Sequence, residues 1–140
     1  MNIALFNIKT MIFSDFSSEF KMLDYLVTHS QLLIRSMRSR EREYNIDIIF
    51  KGVRTLIIDS VFEGLEISLA DENQNIKLIE DHGFVVDSNY KVFLLENGSG
   101  KKHFINAMAF GIFHNKLDIL ETSLERYDWG DLNEMVLWYK

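Results

Sequence analysis

Residues 45–69 constrain the fold of this chain more than any other stretch, because β-branched residues are densest there. Ile46, Ile48 and Phe50 occupy every second position, which is the period of a β-strand with one buried face. Glycines at positions 52 and 64 divide the stretch. We therefore predict three short strands forming an antiparallel meander, which the rest of the chain covers and extends, at about 45–51, 53–58 and 65–69.

The length and composition of the chain are typical of one globular domain. It has 140 residues, 47% of them hydrophobic, and it contains neither a proline-rich linker nor a repeat. We predict a single domain over residues 1–140. The chain has no cysteine, which excludes disulfides, thiolate catalysis and cysteine zinc sites. No secretory signal and no apolar run of about 18 residues is present, so we expect a cytoplasmic protein that does not enter a membrane.

The N-terminal region shows a helical spacing of apolar residues. Every third or fourth position is aromatic or aliphatic in the series Phe13, Phe16, Phe20, Leu23 and Val27. This spacing predicts a helix over residues 15–28, with Ser14, Asp15 and Ser17 as candidate N-caps. A competing prediction makes the chain extended from Tyr25 onward, because tyrosine, valine and threonine favour strands.

Two shorter helices are predicted further along the chain. Acidic residues from Asp71, then His82 and Gly83, indicate a helix of about three turns that ends before Gly83. Asp131 followed by Glu134 resembles a capping box, which predicts a short C-terminal helix. The remaining alternation predicts strands at 2–8, 31–37, 90–96, 103–113 and 117–122.

These elements define the predicted fold class. It is α+β, with a mainly antiparallel, curled sheet of six to eight strands, an N-terminal helix and one or two short helices. Strands 31–37 and 45–50 are expected to pair as a hairpin. Asn97 and Gly98 predict a tight turn between the strands at 90–96 and 103–113, and Gly111 predicts a bulge or bend in the second of these.

No catalytic, cofactor or metal motif is complete in the sequence. A calcium-loop pattern begins at Asp71, but Ile76 stands where the loop needs glycine and His82 where it needs glutamate. The glycine-rich segment 98–102 lacks the spacing of a phosphate loop and leads into a strand rather than a helix. The four histidines lie too far apart in sequence to form a helical pair of metal ligands. We assign no catalytic, cofactor or metal residue, and favour a binding protein over an enzyme.

The charge of the chain indicates the kind of partner. The net charge is −6, and residues 71–140 contribute most of it, with 7 basic and 12 acidic residues. An acidic domain is a poor binder of nucleic acid and a better binder of a basic protein surface. The first hypothesis is therefore a small protein-binding module, in one form an immunity-type protein that neutralises a basic toxin; a homodimer is also left open. The predicted partner-binding residues are Asp118, Glu121, Glu125, Asp128, Trp129, Asp131, Glu134 and Trp138.

A second hypothesis belongs to a different class. A strongly curled sheet can enclose a ligand, so the alternative is a small-molecule or hydrolytic site inside the sheet. Its lining would be aromatic, with a carboxylate and an imidazole at the mouth. The candidate residues are Phe104, Phe110, Phe113, Glu96 and His103.

Overall fold

The computed structural model describes residues 11–124 and 133–140. This part of the chain contains nine strands, one α-helix and a short 3-10 turn at Val27–His29. All strand pairs are antiparallel, and the order in the sheet is β4-β7-β6-β5-β1-β2-β3-β8-β9. In chain order the elements are β1 (Met11–Leu26), β2 (Gln31–Ser36), β3 (Asn45–Lys51), β4 (Thr55–Ile57), β5 (Val61–Leu69), α1 (Glu72–His82), β6 (Lys91–Glu96), β7 (Lys102–Ala107), β8 (Ala109–Asn115) and β9 (Asn133–Tyr139).

The mainly antiparallel sheet is confirmed, but it has more strands than predicted and a different pairing. The three segments of residues 45–69 are all extended, yet none pairs with another. Instead β3 lies between β2 and β8, β4 pairs with β7, and β5 lies between β1 and β6. The predicted meander is therefore wrong, whereas the hairpin of β2 with β3 is confirmed by the register from Leu32↔Phe50 to Ser36↔Ile46.

The helix predicted over residues 15–28 is wrong, because this region lies in the long strand β1. Pairing with β5 passes from Asp15↔Leu65 to Glu19↔Glu63, so β1 carries two extra residues across that interval. The apolar series does not share one face here, because Phe16 and Val27 are 55% and 78% exposed. Phe13 and Phe20 belong to the inner core, whereas Leu23 packs in the outer cluster. The competing prediction holds for Tyr25 and Leu26, the last residues of the strand.

Asp15, one of the three predicted N-caps, has another role at this bulge. Asp15 Oδ1 accepts hydrogen bonds from the backbone N–H and the hydroxyl of Ser17, at 2.9 and 2.8 Å. Asp15 Oδ2 accepts one from the hydroxyl of Ser18 at 3.0 Å. The same local bonding that caps a helix therefore stabilises a turn within a strand here.

The middle helix is confirmed and the C-terminal one is wrong. Helix α1 begins with a capping box between Asp71 and Gln74 and ends at Gly83, whose φ is +68°. Residues 133–139 form strand β9, and the predicted strand over 117–122 is a turn instead. The predicted strand at 2–8 lies outside the described residues. Within those residues no helix is both long and apolar enough to cross a membrane.

The sheet bends strongly, because one pair of chain segments contributes strands near both ends of the strand order. Strands β3 and β8 pair as far as Lys51↔Ala109, and the same two chain segments pair again as β4 and β7 from Thr55↔Asn106. Between these pairs Gly52 adopts a φ of +66°. A Cβ on Gly52 would lie 2.5 Å from Cγ of Met108, so both the conformation and the space require glycine. The kink interrupts the ladder, and the sheet curls without closing.

Phenylalanines from distant strands fill the inside of the curl. The Phe93 ring of β6 lies 5.6 Å from Phe50 of β3 and 5.2 Å from Phe110 of β8, measured between centroids. All three are fully buried. Two smaller clusters pack on the outer face, one around Leu33 and Phe113 and one around Leu78 beneath α1.

Candidate functional site

Arg35 and Asp47 form a buried ion pair on the outer face of β2 and β3. Arg35 Nε donates to Asp47 Oδ1 at 2.6 Å, and Arg35 Nη2 donates to Asp47 Oδ2 at 2.9 Å. Their side chains are 3% and 0% exposed. Such a bidentate pair is geometrically specific, and its burial carries a large desolvation cost that further hydrogen bonds must offset.

Further bonds to Asp47 come from segments that are distant in sequence. Asp47 Oδ2 accepts hydrogen bonds from Asn115 Nδ2 at 2.8 Å and from Ser123 Oγ at 2.6 Å. Asn45 Nδ2 donates to Asn115 Oδ1 at 2.8 Å, and Asn115 Nδ2 donates to Asn133 Oδ1 at 2.9 Å. This network joins β3 and β8 to β9 and to the segment that follows β8.

The ion pair also holds a surface turn, residues 118–121, which we call the display turn. Arg35 Nη1 donates to the carbonyls of Asp118 and Glu121, at 3.2 and 2.8 Å. Within the turn the Glu121 N–H donates to the Asp118 carbonyl at 2.9 Å, and the Asp118 N–H donates to Glu121 Oε1 at 2.8 Å. Yet Ile119 and Leu120 between them are 63% and 92% exposed. A buried cation thus holds in place a turn that presents two apolar side chains to water.

A groove with a volume of about 690 Å³ has Ile119 of the display turn in its lining. One wall is the β1 bulge at Asp15, and the other is the connection between β2 and β3, which carries Arg42. Arg42 Nη1 donates to the Tyr44 carbonyl at 2.6 Å. Burial raises the pKa of the Asp15 carboxyl, but hydrogen bonds from Ser17 and the nearby charge of Arg42 bring it below its usual value. The groove therefore presents fixed charges of both signs, and its described lining contains no histidine to act as a base.

Comparisons with known proteins add nothing to this description. No family model matches the chain, and neither a curated protein nor a solved structure is significantly similar to it. The function is therefore inferred from the contacts of the site.

The structure divides the predicted partner-binding residues between two places. Asp118 and Glu121 lie in the display turn, where Asp118 Oδ1 accepts a hydrogen bond from Arg38 Nη2 at 2.9 Å. Glu134 and Trp138 lie on β9. The other four lie outside the described residues: Glu125, Asp128, Trp129 and Asp131. Arg35 and Asp47 were not predicted, because a charged residue in a strand is usually read as facing solvent.

The residues of the second hypothesis are not brought to one cavity. Phe110 lies inside the curl, whereas Phe113 and Phe104 pack in separate clusters on the outer face. Glu96 pairs in register with a lysine and lies on the opposite face from His103, whose register partner is the core residue Leu95. Among the described residues, no group of three or more acidic or histidine side chains could hold a metal ion.

His103 is nevertheless unusual, because it is 2% exposed. Its Nδ1 accepts a hydrogen bond from the Asp59 N–H at 3.1 Å, and its Nε2 is buried without a hydrogen-bond partner. The ring packs edge-on against Phe62, with centroids 4.8 Å apart. Burial lowers the pKa of His103, although the charge of Asp59 opposes the shift. Burial likewise lowers the pKa of His114, which stacks on Tyr44.

The lowered pKa values of His103 and His114 predict that the protein loses stability in mild acid. Their pKa values lie below the ordinary 6.5 in the folded protein, so the unfolded chain binds more protons at and below that pH. The free energy of unfolding is therefore highest above about pH 7 and falls as the pH decreases toward about 5. Urea unfolding across this range measures the slope. His103→Gln should reduce it, while the same change at exposed His82 serves as the control; an unchanged slope in His103→Gln contradicts the prediction.

Proposed function

We propose that this protein is a small protein-binding module whose partner docks on the display turn. The observation that supports this most strongly is the use of buried Arg35 to hold a turn whose Leu120 is 92% exposed. A turn already fixed by internal hydrogen bonds loses little conformational entropy when it binds. Adjacent apolar side chains flanked by the acidic Asp118 and Glu121 match the anatomy of a binding hot spot with a polar rim.

The charge of the sequence segment that contains the display turn indicates the chemistry of the partner. Residues 116–134 hold two basic and six acidic residues, for a net charge of −4. The Asp118 side chain is 77% exposed although it pairs with Arg38. Complementarity therefore calls for an apolar pocket on the partner, surrounded by lysine or arginine. An immunity-type protein that neutralises a basic toxin domain is the concrete form of this proposal.

Site-specific photo-crosslinking in cells tests the proposal. A photoreactive amino acid at position 120 should form a covalent adduct with one basic protein, which mass spectrometry identifies. The matched control is position 76 on α1, where Ile76 is 48% exposed. Identical adducts at both positions, or none at position 120, would contradict docking on the display turn.

The purified partner then allows a quantitative prediction. Leu120→Ala should weaken binding by at least about tenfold, because hot-spot side chains commonly contribute more than about 1.4 kcal/mol. Its melting temperature should match that of the wild type, because the side chain is 92% exposed. Ile76→Ala removes the same kind of exposed apolar surface and should leave affinity unchanged. Titration calorimetry measures both variants, and equal affinities for wild type and Leu120→Ala would refute the proposal.

A further inference from the structure

The turn between β6 and β7 contains the pair Asn97-Gly98, and no other asparagine of the sequence precedes a glycine. An asparagine in this position is chemically labile, because the backbone nitrogen of the next residue can attack its side-chain amide. Glycine makes that attack easy, since it has no side chain to block the approach and its backbone is the most flexible. The pair is therefore a candidate site of spontaneous modification.

Gly98 is required by the packing of the turn rather than by its conformation. The positive φ of this turn, +85°, belongs to Gly100. At Gly98 a Cβ would lie 2.7 Å from the main-chain carbonyl oxygen of Glu63 in β5. A larger residue, which would slow the attack, therefore does not fit unless the hairpin moves away from β5. The fold thus depends on a reactive sequence at this position.

The same contact with β5 holds the attacking nitrogen in an unreactive form. The Gly98 N–H donates to the Glu63 carbonyl at 2.8 Å. The nitrogen can attack only after it loses this proton. The N–H must therefore first be released from the carbonyl, as it must for amide hydrogen exchange.

The side chain of Asn97 is held as well. Asn97 Oδ1 accepts hydrogen bonds from the Ser99 N–H at 3.1 Å, the Ser99 hydroxyl at 2.8 Å and the Lys101 N–H at 2.9 Å. These bonds turn the amide toward residues 99–101, but donors on Oδ1 also polarise Cγ for attack. Protection therefore depends on the Gly98 nitrogen and its bond to β5.

We propose that Asn97 is a deamidation site that the contact between Gly98 and Glu63 keeps closed while the protein is folded. When the contact opens, the Gly98 nitrogen forms a bond to Cγ of Asn97 and gives a cyclic imide. The Cγ–Nδ2 bond breaks, and Nδ2 leaves as ammonia with the proton that the Gly98 nitrogen has lost. Water that attacks Cγ then opens the ring to aspartate, whereas water that attacks the main-chain carbonyl carbon of residue 97 gives isoaspartate.

The isoaspartate product does not fit the hairpin. Its main chain runs through Cβ and Cγ, which lengthens the connection between strands that pair in register up to Glu96↔Lys102. Its carboxylate is also displaced from the Ser99 and Lys101 N–H groups. Opening of the hairpin thus leads to an irreversible loss of foldable chain, and Asn97 sets a chemical limit on the lifetime of the protein. This inference does not depend on the display turn.

Peptide mapping by mass spectrometry tests the proposal on folded protein and on protein unfolded in guanidinium chloride, both in the same mildly alkaline buffer. Asn97 should be lost from the unfolded chain at least about tenfold faster, because the folded hairpin must open first. Asn89 is exposed and precedes Tyr90, so it should persist in both samples. Equal rates of loss in the folded and unfolded protein, or an unreactive Asn97 in the unfolded chain, would overturn the proposal.

Two variants assign the reaction and its protection to particular atoms. Gly98→Ala, measured in the unfolded chain where packing is irrelevant, should slow the loss of Asn97 because the added methyl group hinders the nitrogen. Ser99→Ala removes one hydrogen bond to Oδ1 and should leave the rate in the folded protein unchanged. The proposal is wrong if unfolded Gly98→Ala reacts as fast as the wild type, or if folded Ser99→Ala reacts as fast as the unfolded chain.

Hydrogen exchange measured by NMR in the same buffer identifies the contact that protects Asn97. The factor by which folding slows exchange of the Gly98 amide should match the factor by which folding slows the loss of Asn97. Both processes need release of the same N–H from Glu63. A Gly98 amide that exchanges freely beside a stable Asn97 would show that this contact is not what protects the site.

Discussion

Replacing Asp47 with alanine should lower the free energy of unfolding by about 3–5 kcal/mol, a large share of the stability of a domain of this size. The Arg35 guanidinium would remain buried without its counter-charge, since both of its side-chain bonds to Asp47 are lost. Asn115 and Ser123 would each lose an acceptor as well. Urea unfolding at neutral pH measures the difference. A loss below about 1 kcal/mol would show that water reaches the ion pair and replaces the carboxylate.

Two variants serve as controls for this prediction. Asp118→Ala breaks the exposed pair with Arg38 and should cost less than about 1 kcal/mol, as surface ion pairs do. Asp47→Ala combined with Arg35→Met removes both buried charges and should recover part of the loss. The recovery should be incomplete, because Asn115 and Ser123 still lack their acceptor in the double variant.

The same network connects the fold to the proposed site. Arg35 contacts Asp47 with Nε and Nη2 and the display turn with Nη1. The Asp47 carboxylate therefore fixes the position of the Arg35 guanidinium, and Arg35 in turn fixes the display turn. Asp47→Asn, which keeps the shape but removes the charge, should loosen the turn. Faster amide exchange at Glu121, whose N–H donates within the turn, would report that loosening.

Local patterns predicted the elements better than their pairing. Alternation located β2, β3 and β6, and the cap residues located α1, because these signals act within a few residues along the chain. The partners of β4 and β5 are set by contacts with strands distant in sequence, which no local pattern contains. The prediction of an N-terminal helix was wrong for a different reason. The apolar residues of β1 recur at helical spacing but lie on both faces of the strand or in solvent, and single-sequence periodicity does not reveal burial.

The candidate site was only partly visible in the sequence. Asp118 and Glu121 were predicted from their charge, but their importance in the structure comes from their backbone carbonyls, which accept from Arg35. Asp47 alternates with isoleucines in β3, a pattern that normally places the polar residue in water. In this protein the outer face of β3 is covered by the segment after β8, so the carboxylate is buried. Covering segments of this kind are a tertiary property that alternation does not encode.

Because the sheet curls, Phe93 contributes more to the stability of the fold than its local sequence pattern suggests. Phe93→Ala should lower the free energy of unfolding by about 3–5 kcal/mol, because a fully buried phenylalanine leaves a cavity that the surrounding strands cannot fill. Its ring contacts Phe50, Phe110 and Tyr139 from three other strands. Thermal and urea unfolding measure the change.

Phe16→Ala is the matched control, because it deletes the same side chain where the residue is 55% exposed. Its cost should stay near or below about 1 kcal/mol. The comparison tests the architecture as well as the packing. In a flatter sheet β6 would lie too far from β3 and β8 for these rings to meet, and truncating Phe93 would cost little more than truncating Phe16. A large difference between the two variants is therefore expected only if the sheet curls back on itself around Phe93.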